Sequence, residues 1–335
     1  MDLSERKKRI LKAVVSENIR TAEPVSSLEL QKEYLQNVSS ATIRNELAAL
    51  EEMGFLIQPH TSSGRIPTVE GYKKYISELM TEQKLSRLES EKIRETINNR
   101  ISNITEMVEN TAKVIADASN YASIVSMGIT DQAAVESFRL IKIDKTRALV
   151  LVVTDIGTMK EVVLAPDIDE SEILSAEKYM SSRLVGMTLG DIQSVKNSMP
   201  KELERYRILF ESIIEVITEK SSEDKSKMVV AGKEKLLDYP EYQDIKTFKN
   251  TLEVLNDKDK LSSIISSGDE LEISVKINPE EKAGSGFSVV TAKYKINGKV
   301  AGTASVVGPV RMDYAKAISI LKNVTGRIEE NMNKE

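Results

Sequence analysis

A chain of 335 residues, 40% hydrophobic and 30% charged, is long enough for two or three domains and apolar enough to bury real cores. It holds no cysteine and one histidine, His60. That excludes disulfides, thiolate catalysis and zinc ribbons, and leaves a His-based metal centre or a Ser-His-Asp triad without its parts. The longest apolar runs, such as Ala148–Val153, are strand-sized and too short to span a bilayer. The charged start at Met1–Arg6 has no apolar signal region, so no membrane association and a cytoplasmic location are expected.

In chain order, Ile10, Leu11, Val14 and Val15 give residues 4–17 a helical stripe. Pro24 stops it, and Ser26 or Ser27 can cap a short second helix carrying Leu28, Leu30 and Leu35. Ser39 is a natural cap for a third helix over 40–53. Its stripe is Ile43, Leu47 and Leu50, and its opposite face carries Ala41, Asn45, Ala48 and Glu52 with Arg44 beside them. Small residues allow close approach to a major groove, Asn45 can pair with adenine, and Arg44 can reach guanine or phosphate. Ser39, Ser40 and Thr42 in the first turn can meet a phosphate. The same composition also describes an ordinary solvated helix face. Gly54 ends the helix, and Phe55-Leu56-Ile57 and Ile66-Pro67-Thr68 then flank a polar turn containing His60, Thr61, Ser62 and Arg65. Helix, short helix, helix and hairpin is the winged-helix order, with a wing tip suited to backbone or minor-groove contacts. His60 is equally at home as a plain surface turn residue.

The net charge is −5, and residues 1–80 hold eleven Lys/Arg against eleven Asp/Glu. A neutral head predicts weak non-specific DNA attraction and a shallow salt dependence of binding.

Residues 84–117 lack Pro and Gly. Ile93, Ile97, Ile101, Ile104, Val108 and Ile115 at three- and four-residue steps predict one long helix, either a dimer seam or a cover for the next domain. Strands are expected at 138–143, 148–154 and 159–164 as an antiparallel meander. Helices follow at 169–184, 188–197 and 201–220, with a polar break at Ser221–Ser226. A short strand at 228–232, a helical stretch to about Leu255, strands at 272–277, 287–296 and 299–306, and a closing helix over 312–329 complete the chain. Asn297-Gly298 is a two-residue hairpin turn. Arg311, Asp313 and Tyr314 form a polar cluster after Gly308-Pro309, where Asp313 or Arg311 is expected to anchor the last helix. No Walker loop, GxGxxG, HExxH or GxSxG is present, so no catalytic residue, metal site or cofactor is assigned.

Val38-Ser39-Ser40-Ala41-Thr42-Ile43-Arg44-Asn45-Glu46-Leu47, Leu50–Leu56, Gln58–Thr68 and Gly71-Tyr72 together resemble the HrcA family of heat-inducible repressors. Ala231–Leu237, Ser288–Tyr294 and Val307–Tyr314 match its C-terminal motifs. The chain departs from the family pattern at Ser26-Ser27-Leu28 and Val69-Glu70, where a basic partner for phosphate is lost. The resemblance implies an α+β multidomain protein. Its parts would be a winged-helix DNA-binding domain at 1–80, a linker helix and first part of a GAF-like domain at 81–133, an inserted dimerisation domain of antiparallel sheet plus helices at 134–222, and the rest of the GAF-like domain at 223–335. The strands within 138–164 could instead belong to the GAF-like sheet. It further implies a homodimer on the CIRCE inverted repeat, repression of GroEL/GroES- and DnaK-type operons, and activity maintained by a GroEL-type chaperonin. Arg44, Asn45 and Ala41 would read bases. Ser39, Ser40, Thr42, His60, Thr61, Ser62 and Arg65 would hold the backbone. A small-molecule-sensing winged-helix regulator using the GAF-like domain is the alternative.

Overall fold

The computed structural model describes residues 3–60, 63–98, 104–127, 133–155, 158–165, 168–192, 207–223, 227–266, 272–279 and 286–332. By packing, these fall into two units. One comprises 1–124, 230–292 and 304–327, and the other 125–229, 293–303 and 328–335. Among the described residues, no helix is long and apolar enough to cross a membrane.

The chain opens with α1 (Glu5–Thr21), whose stripe Ile10, Leu11, Val14 and Val15 is fully buried. Next, α2 (Ser27–Glu33) starts at a reciprocal cap. The Ser26 hydroxyl accepts from the Glu29 amide, and the Glu29 carboxylate accepts from the Ser26 amide. Then come α3 (Ser40–Glu52), β1 (Leu56–Ile57) and β2 (Ile66–Pro67), the two strands pairing antiparallel. This is the element order expected from the sequence. A further helix, α4 (Val69–Lys74), continues to Leu79 as a wider, π-type turn.

Residues 84–117 do not form one helix. Two are present, α5 (Arg87–Asn98) and α6 (Ile104–Ser119), packed on each other. Residues 99–103, between the two helices, lie outside the described residues. The apolar spacing is helical on both sides of them, so periodicity alone hides the break.

Three strands, β4 (Val135–Lys142), β5 (Arg147–Thr154) and β6 (Thr158–Leu164), form the expected antiparallel meander as a sheet of their own. Alternation divides its faces. Phe138, Leu140, Val150, Val152 and Val163 are buried, with α7 (Glu170–Leu184) against β4 and α8 (Arg207–Glu223) against β6. The other face carries the cross-strand row Ile141, Leu149 and Val162. Ile141 and Val162 stay about half exposed, and Ile143 and Leu164 lie open on the same side. The helix expected at 188–197 falls partly outside the described residues, as does the start of that expected at 201–220.

A second sheet has five strands in the order β7-β3-β10-β9-β8. They are β3 (Ala122–Met127), β7 (Lys227–Ala231), β8 (Ile273–Ile277), β9 (Phe287–Ile296) and β10 (Lys299–Pro309). The sequence pattern does not announce β3. All six of its residues are buried, so apolar and polar positions do not alternate. The β9–β10 link is the two-residue turn expected, with Asn297 and Gly298 both at positive φ (52° and 78°). The helical stretch before Leu255 is two tight 3-10 turns followed by α9 (Ile245–Asn256), and α10 (Lys258–Ser266) was not foreseen. The closing helix is α11 (Tyr314–Met332).

Candidate nucleic-acid interface

Helix α3 is placed by its buried face and its cap. Ile43, Leu47 and Leu50 are buried. The Ser39 hydroxyl accepts from the Thr42 amide at 3.1 Å and lies 2.8 Å from the Thr42 hydroxyl, while the Ser40 hydroxyl meets that of Ser27 in α2 at 3.1 Å. The flank is pinned by Glu46, whose carboxylate accepts from Lys7 of α1 at 2.7 Å and lies 3.6 Å from Arg6. With these groups fixed, Ala41, Arg44, Asn45, Ala48 and Glu52 face solvent. Neither Arg44 nor Asn45 has a hydrogen bond or ion pair among the described residues. The structure therefore brings together, on one exposed ridge, the three residues expected to read bases.

The hairpin is tied differently. Arg65 exchanges both backbone hydrogen bonds with Val25 at 2.9 Å. Gly64 sits so close to that strand that a β-carbon would meet the Val25 carbonyl oxygen at 2.3 Å, so only glycine fits. The Arg65 guanidinium donates to Glu51 at 2.8 Å and is only 18% exposed. Glu51 also accepts from the Gln58 amide, and the Gln58 side chain donates to the Ser63 carbonyl. Arg65 thus braces the hairpin against α3, and only its remaining N–H groups are available to a phosphate. His60 is exposed in a turn closed by Ser63, whose hydroxyl accepts from the His60 amide at 3.0 Å. Thr61 and Ser62 lie outside the described residues.

The far end of α1 is held by three groups. Tyr72 donates to the Asn18 side chain at 2.6 Å in a buried contact, and burial pushes its hydroxyl well above the usual tyrosine range. Glu17 is nearly buried. It accepts from Arg20 and from the Tyr34 hydroxyl (2.8 Å), and the Arg20 hydrogen bond holds its carboxyl below the usual range. Arg311 grips the Glu241 carboxylate with two N–H groups (2.5 and 3.2 Å) and donates a third to the Ile19 carbonyl at 3.0 Å. That carbonyl lies in the last turn of α1, where a cation is favoured. Asp313 does anchor the last helix, accepting from the Lys316 amide, whereas Arg311 anchors the first. Sequence reasoning missed that role because the two residues lie 292 positions apart.

The match to a family model, HrcA protein C terminal domain, spans residues 105–318. Full-length relatives agree. The chain is 34% identical to a heat-inducible transcription repressor HrcA of Alkaliphilus metalliredigens, covering 98% of both chains. It is 31% identical to that of Clostridium botulinum, covering 100% of this chain and 99% of the relative. The chain belongs to the HrcA family. Members bearing that name are heat-inducible transcription repressors, so the ridge on α3 sits in a family of transcription regulators. A crystal structure described as a hypothetical protein shares the fold at TM-score 0.61 and 21% identity, covering 99% of each chain.

Proposed function

We propose that this HrcA-family member is a cytoplasmic, heat-inducible transcription repressor that grips double-stranded operator DNA as a homodimer. In this reading residues 1–80 are a winged helix, 134–222 an inserted dimerisation domain, and 81–133 with 223–335 a GAF-like domain. The observation that carries it is the uncommitted polar ridge of α3. Arg44 and Asn45 stand exposed and unpaired between small residues, while Glu46, Glu51, Ser39 and Ser40 around the helix are tied down. Arg44, Asn45 and Ala41 read bases in the major groove. Ser39, Ser40, Thr42, His60, Thr61, Ser62 and Arg65 meet the backbone, with Arg65 contributing through the N–H groups that Glu51 leaves free.

The partner surface for a second copy is the open face of the three-stranded sheet. A contiguous apolar patch (Ile141, Ile143, Leu149, Val162, Leu164) is costly to leave in water, and twofold pairing of one such patch is the commonest remedy. Twofold protein symmetry matches an inverted-repeat operator. The sequence resemblance implies the CIRCE repeat of chaperonin and DnaK operons as that operator, with a GroEL-type chaperonin maintaining active repressor. Gel shifts on the repeat test the reading: Arg44→Ala and Asn45→Ala weaken binding, and a Val162→Asp chain elutes as a monomer and binds more weakly. Wild-type binding by both ridge variants would refute the base-reading role.

A second reading rests on a cleft of about 540 Å³ beside the Arg311–Glu241 pair, lined also by Asn18, Tyr72 and Thr247, which would suit a small-molecule signal. A saturable thermal shift with a metabolite, absent in Tyr72→Trp, would favour it.

A further inference from the structure

The charge of the head is balanced in total but not in space. Five of its eleven cations (Arg6, Lys7, Lys8, Arg9 and Lys12) lie within seven residues, in the first two turns of α1. Helix electrostatics does not explain them. The N-terminus of a helix carries a partial positive charge, so cations there are unfavourable, and like charges three or four residues apart repel. Their partners account for only part of the set. Lys7 is neutralised by Glu46, Lys8 by Glu5, and Lys12 donates to the neutral Thr81 hydroxyl at 2.7 Å. Arg6 keeps only the long 3.6 Å approach to the already shared Glu46 and is 59% exposed. Arg9 is exposed and makes no ion pair or hydrogen bond among the described residues. Arg6 and Arg9 stand one turn apart on an open strip of the helix. The anchor that fixes this strip is Glu46, which is also the flank of α3, the residue next to Asn45. The cationic strip is therefore fastened to α3 on the flank beside its exposed ridge.

We infer that Arg6 and Arg9 form a phosphate clamp, binding the DNA backbone beside the groove that α3 enters. This rests on the operator-binding reading above. The occupant is a phosphodiester backbone because the strip is cationic, exposed and built of guanidinium groups, which match phosphate oxygens with paired donors. Its contribution is independent of base sequence. Lys7 acts as the positioning residue, holding the strip to α3 through Glu46.

The test is fluorescence anisotropy of the full chain on two labelled duplexes, one carrying the inverted repeat and one of unrelated sequence, across a salt series. The Arg6→Ala/Arg9→Ala chain is expected to show a slope of log affinity against log salt shallower by about 2 per bound head, on both duplexes. Arg6→Lys/Arg9→Lys restores most of the slope. Arg44→Ala and Asn45→Ala weaken only the inverted-repeat complex and leave the salt slope on unrelated DNA unchanged. If the alanine pair leaves both slopes at the wild-type value, the clamp is wrong even where the ridge variants lose operator binding. If the ridge variants bind normally but the clamp variant loses slope, the clamp stands and the base-reading assignment falls. A loss of slope on the inverted repeat alone would contradict a backbone role. Because both arginines are exposed, the variants should melt with wild type, and the lysine pair reads the charge effect in a chain of matched shape should they not.

Discussion

The arginines of the first packing unit are chemically alike and are used in opposite ways. Arg44 projects from α3 without a partner, whereas Arg65 in the hairpin is shielded and donates to Glu51, and Arg311 is more deeply shielded, gripping Glu241 and the end of α1. An arginine whose donors are spent inside the protein organises structure, and one whose donors face water is available to a ligand. These basic residues thus fall into two groups with separable phenotypes: affinity without stability, and stability before affinity.

The largest effects should fall on the open group. Arg44→Ala and Asn45→Ala are each expected to cost about 1–3 kcal/mol of operator affinity by titration. Their melting temperatures should stay with wild type, because exposed residues without partners rarely matter to stability. A melting loss in either would blur the division. Next comes Arg311→Ala, expected to destabilise the chain by about 2 kcal/mol in urea unfolding, since Glu241 and the Ile19 carbonyl both lose their donor. The figure sits below that of a fully buried pair because Glu241 is 32% exposed. A smaller effect attaches to Arg65 and Glu51, whose double-mutant cycle should give a coupling of about 1 kcal/mol, against none for Arg44 and Glu51.

The same contrast separates what the sequence made legible from what it did not. The stripe Ile43–Leu47–Leu50 and the Ser39 cap were readable because helix periodicity and capping are local rules, and they alone aim Arg44 and Asn45 at solvent. The three-stranded meander and the Asn297-Gly298 turn were readable for the same reason. The fate of Arg65 and Arg311 was not, because their partners lie 14, 70 and 292 positions away and no local rule names them. The all-buried β3 and the break between α5 and α6 were hidden where burial or unbroken periodicity removes the signal. The cationic run Arg6–Arg9 is plain in the sequence, but a charge total over residues 1–80 averages it away.

The smallest expected effect concerns Glu17. Its carboxyl is depressed by the Arg20 hydrogen bond, with Tyr34 adding a second. A depressed acid stabilises the fold above the unfolded carboxyl's pKa, near 4.3, and that contribution is lost as pH falls through the lower folded value. Glu17→Gln should therefore flatten the acid limb of the stability curve while leaving α3 and its affinity at neutral pH almost untouched.

The central claim is that the exposed ridge of α3 reads bases. It is tested most directly by measuring, for Asn45→Ala in the full chain, the ratio of affinities for the inverted repeat and a scrambled duplex. The ratio should fall about tenfold or more, with affinity for the scrambled duplex unchanged. An unchanged ratio would contradict the account.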